Sequence, residues 1–242
     1  MKERLPWLDI LRGLAVVCMI LFHLNYSLVH IFSSEILNFS ASFWYMLWRV
    51  AAIMFIFVAW VSYYLAEKKY GDQIYKKYVR YSIILALFAG NITLWTYFFF
   101  PEQLIVFGIL HFFALSFLLL PYVTHVFWKS TFLLGVLIIF YGIFFISTVS
   151  SPYLFPLGWH TRDFFSADYY PLFPWFGVLL LGYSFWIFLE KYNFQWVFSF
   201  WASHSWVQKF LRFFGTRALL VYLIHQPLII ALFFLFQIFW IL

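Results

Sequence analysis

The sequence is short of charge. Only 10% of its 242 residues are Asp, Glu, Lys or Arg, whereas 66% are hydrophobic. An ordinary globular domain is nearer half apolar and a quarter charged. The shortage excludes a water-soluble fold, because too little polar surface exists to cover this much Phe, Trp, Leu and Ile. Cysteine is almost absent. The single Cys18 excludes an intramolecular disulfide and any cysteine-based metal site. Polar and apolar residues do not alternate, and the apolar runs are too long for strands, so a transmembrane β-barrel is also excluded. No internal repeat or low-complexity linker divides the chain, and its length suits one domain, 1–242. The first apolar run carries Arg12 near its start and lacks a small-x-small cleavage site, so it does not read as a cleaved signal peptide.

What the sequence does have is long apolar runs. A spanning helix needs about 20 predominantly apolar residues. Segments at roughly 8–30, 43–66, 79–99, 103–122, 131–148, 171–190 and 216–240 meet that need. The expected fold is an all-α, polytopic membrane helix bundle of about seven transmembrane helices. Loop charge sets its orientation. Lys2 and Arg4 precede the first helix. Lys68, Lys69, Lys76, Lys77 and Arg80 follow the second, Lys129 the fourth, and Lys191, Lys209, Arg212 and Arg217 the sixth. These are alternate loops on one side. The opposite loops hold only Arg162, beside Glu35, Glu102, Asp163 and Asp168. Positive-inside bias puts the N-terminus in the cytoplasm and the C-terminus outside, with the bilayer the first partner. The positive charges are dispersed over loops rather than gathered on one face, so nucleic acid is not expected as a partner. Residues 193–213 mix Trp196, Phe200, Trp201 and Phe210 with Gln195, His204, Lys209 and Arg212, and are expected to form an interfacial helix. Residues 149–170 make a long outer loop, the kind that often serves as a lid or binding loop.

Function is to be sought where hydrophobicity is violated. A mid-bilayer charge costs at least ~2.5–3.5 kcal/mol on insertion scales, so such residues usually face an interior cavity. Arg12, His23, Arg49, His111 and His225 are the candidates, with Asn25 and Asn91 as polar company. At about 1.5 Å per residue, His23, Arg49, Asn91 and His111 each fall roughly 9–12 Å below the outer surface, in one layer from four helices. Asp9 and Arg12 are one turn apart and can pair. Arg12 and His23, eleven residues apart, share a helix face. His225 lies near mid-membrane, ahead of a kink expected at Pro227.

The residues also resemble a family. Leu8-Asp9-Ile10-Leu11-Arg12-Gly13-Leu14-Ala15 with Phe22-His23 is similar to the first helix of integral membrane acyltransferases. Three later segments agree: Phe107-Gly108-Ile109-Leu110-His111-Phe112, Asp168-Tyr169-Tyr170-Pro171-Leu172-Phe173-Pro174-Trp175-Phe176-Gly177, and Tyr222-Leu223-Ile224-His225-Gln226-Pro227. In this order they look like the small bacterial and archaeal DUF1624 proteins. That group is similar to the catalytic domain of heparan-α-glucosaminide N-acetyltransferase and, more distantly, to the acyltransferase-3 family. The resemblance runs over nearly the whole chain. It implies acetyl (acyl) transfer from acetyl-CoA, the donor substrate, to a sugar amine or hydroxyl of a glycan or other acceptor at the outer face of the cytoplasmic membrane.

Attack on a thioester needs a base for the acceptor's proton and a cation or donor for the oxyanion. With the resemblance, the expected roles are His23 or His111 as base and Arg49 as electrostatic partner. Arg12, paired with Asp9, the cytoplasmic Arg217, and the mid-membrane His225 would serve the coenzyme. Asp168, Tyr169, Trp175 and Asn91 would meet the acceptor. No metal is required, and the histidines lack zinc spacing with carboxylates. The rival expectation is a small-molecule or proton-linked membrane transporter, since buried His and Arg chains also mark ion routes. Against it, no inverted repeat is visible.

Overall fold

The computed structural model describes residues 5–30, 40–149, 151–194 and 205–241. Among them run the helices α1 (Pro6–His30), α2 (Ala41–Tyr70), α3 (Ile74–Phe99), α4 (Ile109–Phe127), α5 (Thr131–Phe144), α6 (Leu172–Lys191), α7 (Trp206–Thr216) and α8 (Ala218–Ile241). The protein is an all-α membrane bundle. No strand occurs among the described residues, only the isolated bridges Phe107–Tyr169 and Thr148–His160. Helices α1, α4, α6 and α8 are each long and apolar enough to cross a bilayer. So is the 59-residue stretch Ala41–Phe99, which contains α2, a 3₁₀ turn at Gly71–Gln73, and α3. That stretch has the length of two crossings of about 20 residues each. Lys68 and Lys69 at its middle end α2, and Lys76, Lys77 and Arg80 open α3. The expected seven apolar helices are therefore present as α1–α6 and α8.

Several boundaries differ from expectation, among them the end of α2 at Tyr70 rather than 66 and the start of α3 at Ile74 rather than 79. The fourth helix starts at Ile109 rather than 103. Residues Pro101–Gln103 form a 3₁₀ turn. Beyond it, Ala167 N–H donates to the Leu104 carbonyl and Tyr170 N–H to the Phe107 carbonyl, which holds this stretch out of helix. Helix α5 has 14 residues, so it is only about 21 Å long against a hydrocarbon core of about 30 Å.

The amphipathic segment exists as α7. Ser205 caps it by accepting from Gln208 N–H at 3.3 Å. Trp206, Phe210 and Phe213 are exposed on it beside Lys209 and Arg212, as an interfacial helix requires. Residues 195–204 of the expected interfacial segment lie outside the described residues.

The chain divides into two compact units, one of Met1–Val58 with Leu189–Leu242 and one of Ala59–Phe188. In the first, α1 packs on α7 backbone to backbone. A Cβ at Gly13 would fall on the Leu211 carbonyl oxygen, and one at Gly215 on the Asp9 carbonyl oxygen. Glycine at both positions is what lets the two helices touch. Val16, Met19 and Ala218 form the buried centre, covered by Ile20, Phe55, Phe214, Val221 and Tyr222. In the second unit, the Ser82 hydroxyl on α3 donates to the Ala114 carbonyl of α4 at 2.6 Å. Gly135 and Gly177 bring α5 against α6, a Cβ on Gly135 lying 3.1 Å from the Gly177 carbonyl oxygen. Large apolar side chains remain exposed along every long helix, among them Leu220, Ile224, Leu228 and Leu232 on α8, and these are the groups that meet lipid.

Candidate active site

In the first unit, α1 and α8 bring two imidazoles together. The His23 and His225 rings meet edge to face with centroids 4.7 Å apart. Each ring is oriented by its own helix. His23 Nδ1–H donates to the Met19 carbonyl at 3.0 Å, and His225 Nδ1–H to the Tyr222 carbonyl at 2.7 Å. A carbonyl can only accept, so both protons sit on Nδ1 and both Nε2 lone pairs are free. His225 Nε2 is fully buried and has no hydrogen-bond partner. One helical turn outward the Gln226 amide donates to the Ser27 hydroxyl at 2.9 Å, tying the same two helices. Toward the start of α1, Arg12 donates to Asp9 at 2.9 Å and to the Gly215 carbonyl of α7 at 3.4 Å. The arrangement has two oriented bases side by side and an ion pair three turns below them on α1.

In the second unit, His111 and Asp168 meet at the start of α4. Gly108 is the N-cap and His111 stands at the third helical position. His111 Nδ1 accepts from Gly108 N–H at 3.2 Å, in the manner of a capping box. Its Nε2–H then faces Thr93 Oγ1 at 3.2 Å, and the Thr93 hydroxyl passes on to the Ile105 carbonyl at 2.7 Å. Asp168 Oδ2 accepts from Ile109 N–H at 2.9 Å, so the outer loop supplies the carboxylate at the positive end of the helix. A Cβ on Gly108 would collide with that same oxygen. The Ser166 hydroxyl donates to the Asp168 carbonyl and accepts from Val106 N–H, fixing the loop there. Burial pushes the Asp168 carboxyl up to about 6, opposed in part by the Ile109 N–H. Tyr169 donates to the Phe155 carbonyl at 2.7 Å, and burial pushes its hydroxyl up to about 12.

The model of the heparan-alpha-glucosaminide N-acetyltransferase catalytic family matches residues 4–227. The chain belongs to that family. No curated protein and no solved structure matches it. The matched span holds His23, His111, Asp168 and His225 together with every motif that carried the resemblance. The family is one of membrane acetyltransferases.

Against that family background, the remaining expected residues are placed as follows. Arg49 stands on the exposed face of α2, its guanidinium 4.5 Å from the Tyr45 ring centroid and 5.7 Å from that of Trp48. Asn91 is exposed on α3, its amide returned to the Leu87 carbonyl of its own helix at 2.8 Å. Arg217 is exposed after α7 with its guanidinium 4.3 Å from the Phe213 centroid. Trp175 is half-buried against Tyr170, with centroids 5.1 Å apart. His111 lies in the first turn of α4, so the depth reckoned from a helix start at 103 is corrected by about 9 Å. Pro227 sits inside α8. Among the described residues no group of three His, Cys, Asp or Glu side chains could hold a metal ion.

One half-buried carboxylate escaped the sequence reading. Glu67, near the end of α2, accepts from Tyr63 at 3.0 Å, Thr124 at 3.1 Å and Tyr183 at 2.7 Å. Tyr63 and Thr124 also bond each other at 2.9 Å. Glu67 stands next to Lys68 and Lys69 in sequence, where it reads as part of a charged loop. The only hint was its place one turn after Tyr63.

Proposed function

We propose that this protein transfers an acetyl group from acetyl-CoA to a sugar amine or hydroxyl at the outer face of the cytoplasmic membrane, with His23 as the general base. The observation that carries the reading is the His23–His225 pair, two imidazoles with Nδ1 tied to the main chain and Nε2 free. Membership of the acetyltransferase family supports the donor and the reaction class.

Nε2 of His23 takes the proton of the acceptor N–H or O–H as its nitrogen or oxygen attacks the thioester carbonyl carbon. The C–S bond then breaks, and the departing sulfur takes the proton back from His23 Nε2. One N–C or O–C bond and one S–H bond form; one N–H or O–H and one C–S bond are lost. His225, at van der Waals range, orients His23 and supplies a second lone pair for the incoming proton donor. Arg12, held by Asp9 and the Gly215 carbonyl, presents positive charge toward the cytoplasmic entrance for the coenzyme, with Arg217 on the same unit. Asp168, Tyr169 and Trp175, in and after the outer loop, serve the acceptor. The two imidazoles favour the enzyme over the transporter, because both free lone pairs suit proton transfer to a bound reactant.

The test is thiol release from acetyl-CoA by purified protein in nanodiscs, with a panel of amino sugars and neutral sugars as acceptors. The expected result is turnover that falls at least ~100-fold in His23→Ala, within the range general bases contribute. Full activity in that variant, or the absence of turnover with any acceptor while acetyl-CoA still binds, overturns the assignment.

A further inference from the structure

At the turn between α2 and α3 the surface carries a cavity of about 500 Å³, open to solvent and lined by Tyr70, Gln73, Lys76, Lys77, Arg80 and Tyr81. Three of its six lining residues are cationic. They sit on one helical face, since Lys76 and Arg80 are four residues apart and Lys77 and Arg80 three. Like charges at that spacing repel, and among the described residues Asp72, the carboxylate of the same turn, forms no ion pair with any of the three. The carboxylate nearest in sequence on α2, Glu67, is taken up by the hydroxyls of Tyr63, Thr124 and Tyr183.

The cations are also positioned. Lys77 Nζ lies 3.5 Å from the Tyr70 ring centroid and 5.6 Å from that of Tyr81, so two rings flank it. Lys69 Nζ lies 5.2 Å from the Tyr70 ring centroid. Gln73, the N-cap of α3, makes no capping bond with its side chain, which lines the cavity instead. The first turn of α3 adds the positive end of its dipole. An Arg fork, two ammonium groups and an amide around a concavity match the oxygens of a phosphate group.

We propose that this cavity is a binding site for a phosphate group, presented by a soluble diphosphate or by an anionic lipid headgroup. Both sources are accessible to a pocket at the membrane–water boundary, where the positive-inside pattern puts this turn. Arg80 and Lys76 grip the phosphate oxygens. Lys77, braced by Tyr70 and Tyr81, adds the third charge. Bound phosphate cancels the repulsion across the first turn of α3 and stiffens the α2–α3 turn.

Binding is measured without turnover, so its failure is separate from failure of the acetyl-transfer reading. In one arm, ADP and inorganic pyrophosphate are titrated calorimetrically onto the protein in phosphatidylcholine nanodiscs. In the other, native mass spectrometry compares retention of phosphatidylglycerol with phosphatidylcholine by detergent-purified protein. The expected result is saturable binding in at least one arm, weakened about tenfold or more by Lys76→Gln/Lys77→Gln/Arg80→Gln. The control Lys129→Gln/Lys191→Gln, which removes two charges elsewhere, leaves binding unchanged. Binding in the first arm alone identifies a soluble phosphate, and in the second alone a lipid. The milder Lys76→Gln/Arg80→Gln pair, both exposed, repeats the test should the triple variant melt early. No saturable binding in either arm, or equal binding by wild type and the pocket variants, overturns the proposal.

Discussion

Two histidines of similar sequence setting have different local chemistry. His23 gives its Nδ1 proton to the Met19 carbonyl and keeps Nε2 free, whereas His111 spends Nδ1 on Gly108 N–H and points Nε2–H at Thr93. A base needs a free lone pair, so under the proposed function His23 is the base, while His111 holds the start of α4. We expect His23→Ala to abolish acetyl transfer while its melting temperature changes little. His111→Ala is expected to lower the melting temperature by removing a cap worth about 1 kcal/mol. Thermal unfolding and thiol release on the same preparations check both. A His111→Ala variant that melts as wild type yet loses all turnover would reverse the two roles. The same reasoning applies to Glu67. Tyr183→Phe deletes one of its three donors and should destabilise the protein by about 1 kcal/mol, the cost of a half-buried charged acceptor losing a partner. Denaturation of the two proteins side by side reads that difference.

At the scale of elements, the outer loop and α4 are joined through Asp168. Its carboxyl is raised to about 6 in the folded protein, above the value of about 4 in an unfolded chain. The folded state therefore binds the proton more tightly. The stability this carboxyl contributes is full below pH ~4 and is lost as pH rises through ~6. Asp168→Asn removes the titration but keeps an oxygen for the Ile109 N–H. Its melting temperature, compared with wild type from pH 4 to 8, should gain on wild type as pH passes 6. A difference that stays constant across that range contradicts the account. The contact of α1 with α7 makes a second claim at this scale. The Gly13 and Gly215 positions leave no room for a side chain, so Gly215→Leu should separate the helices. Overpacking costs about 1–3 kcal/mol, and here it also breaks the bond from Arg12 to the Gly215 carbonyl. Gly90, where a Cβ would meet nothing within 4 Å, is the control: Gly90→Ala should not destabilise the protein.

For the whole molecule, the seven apolar helices and the amphipathic α7 were readable from composition and run length. Seven apolar segments predicted seven apolar helices, because lipid leaves the backbone of such a segment no alternative to internal hydrogen bonds. The missed start of α4 has a tertiary cause. The start of α4 moved from 103 to Ile109 because residues from a loop some 60 positions later hold 104–107 extended, and no local pattern announces such a partner.

The sequence by itself determined the membrane class, the helices, the alternation of basic loops and the family, since all follow from local hydrophobicity and from motifs contiguous in the chain. Only the tertiary structure decided which polar residues stand together. Depth along a helix is linear in residue number, so it grouped Arg49 and Asn91 with His23. Azimuth and neighbours are set by packing, and they left Arg49 and Asn91 on exposed faces while seating His225 beside His23. Packing likewise turned Glu67 inward to three hydroxyls and left Lys76, Lys77 and Arg80 around a cavity, because only the fold decides which opposite charges come within reach.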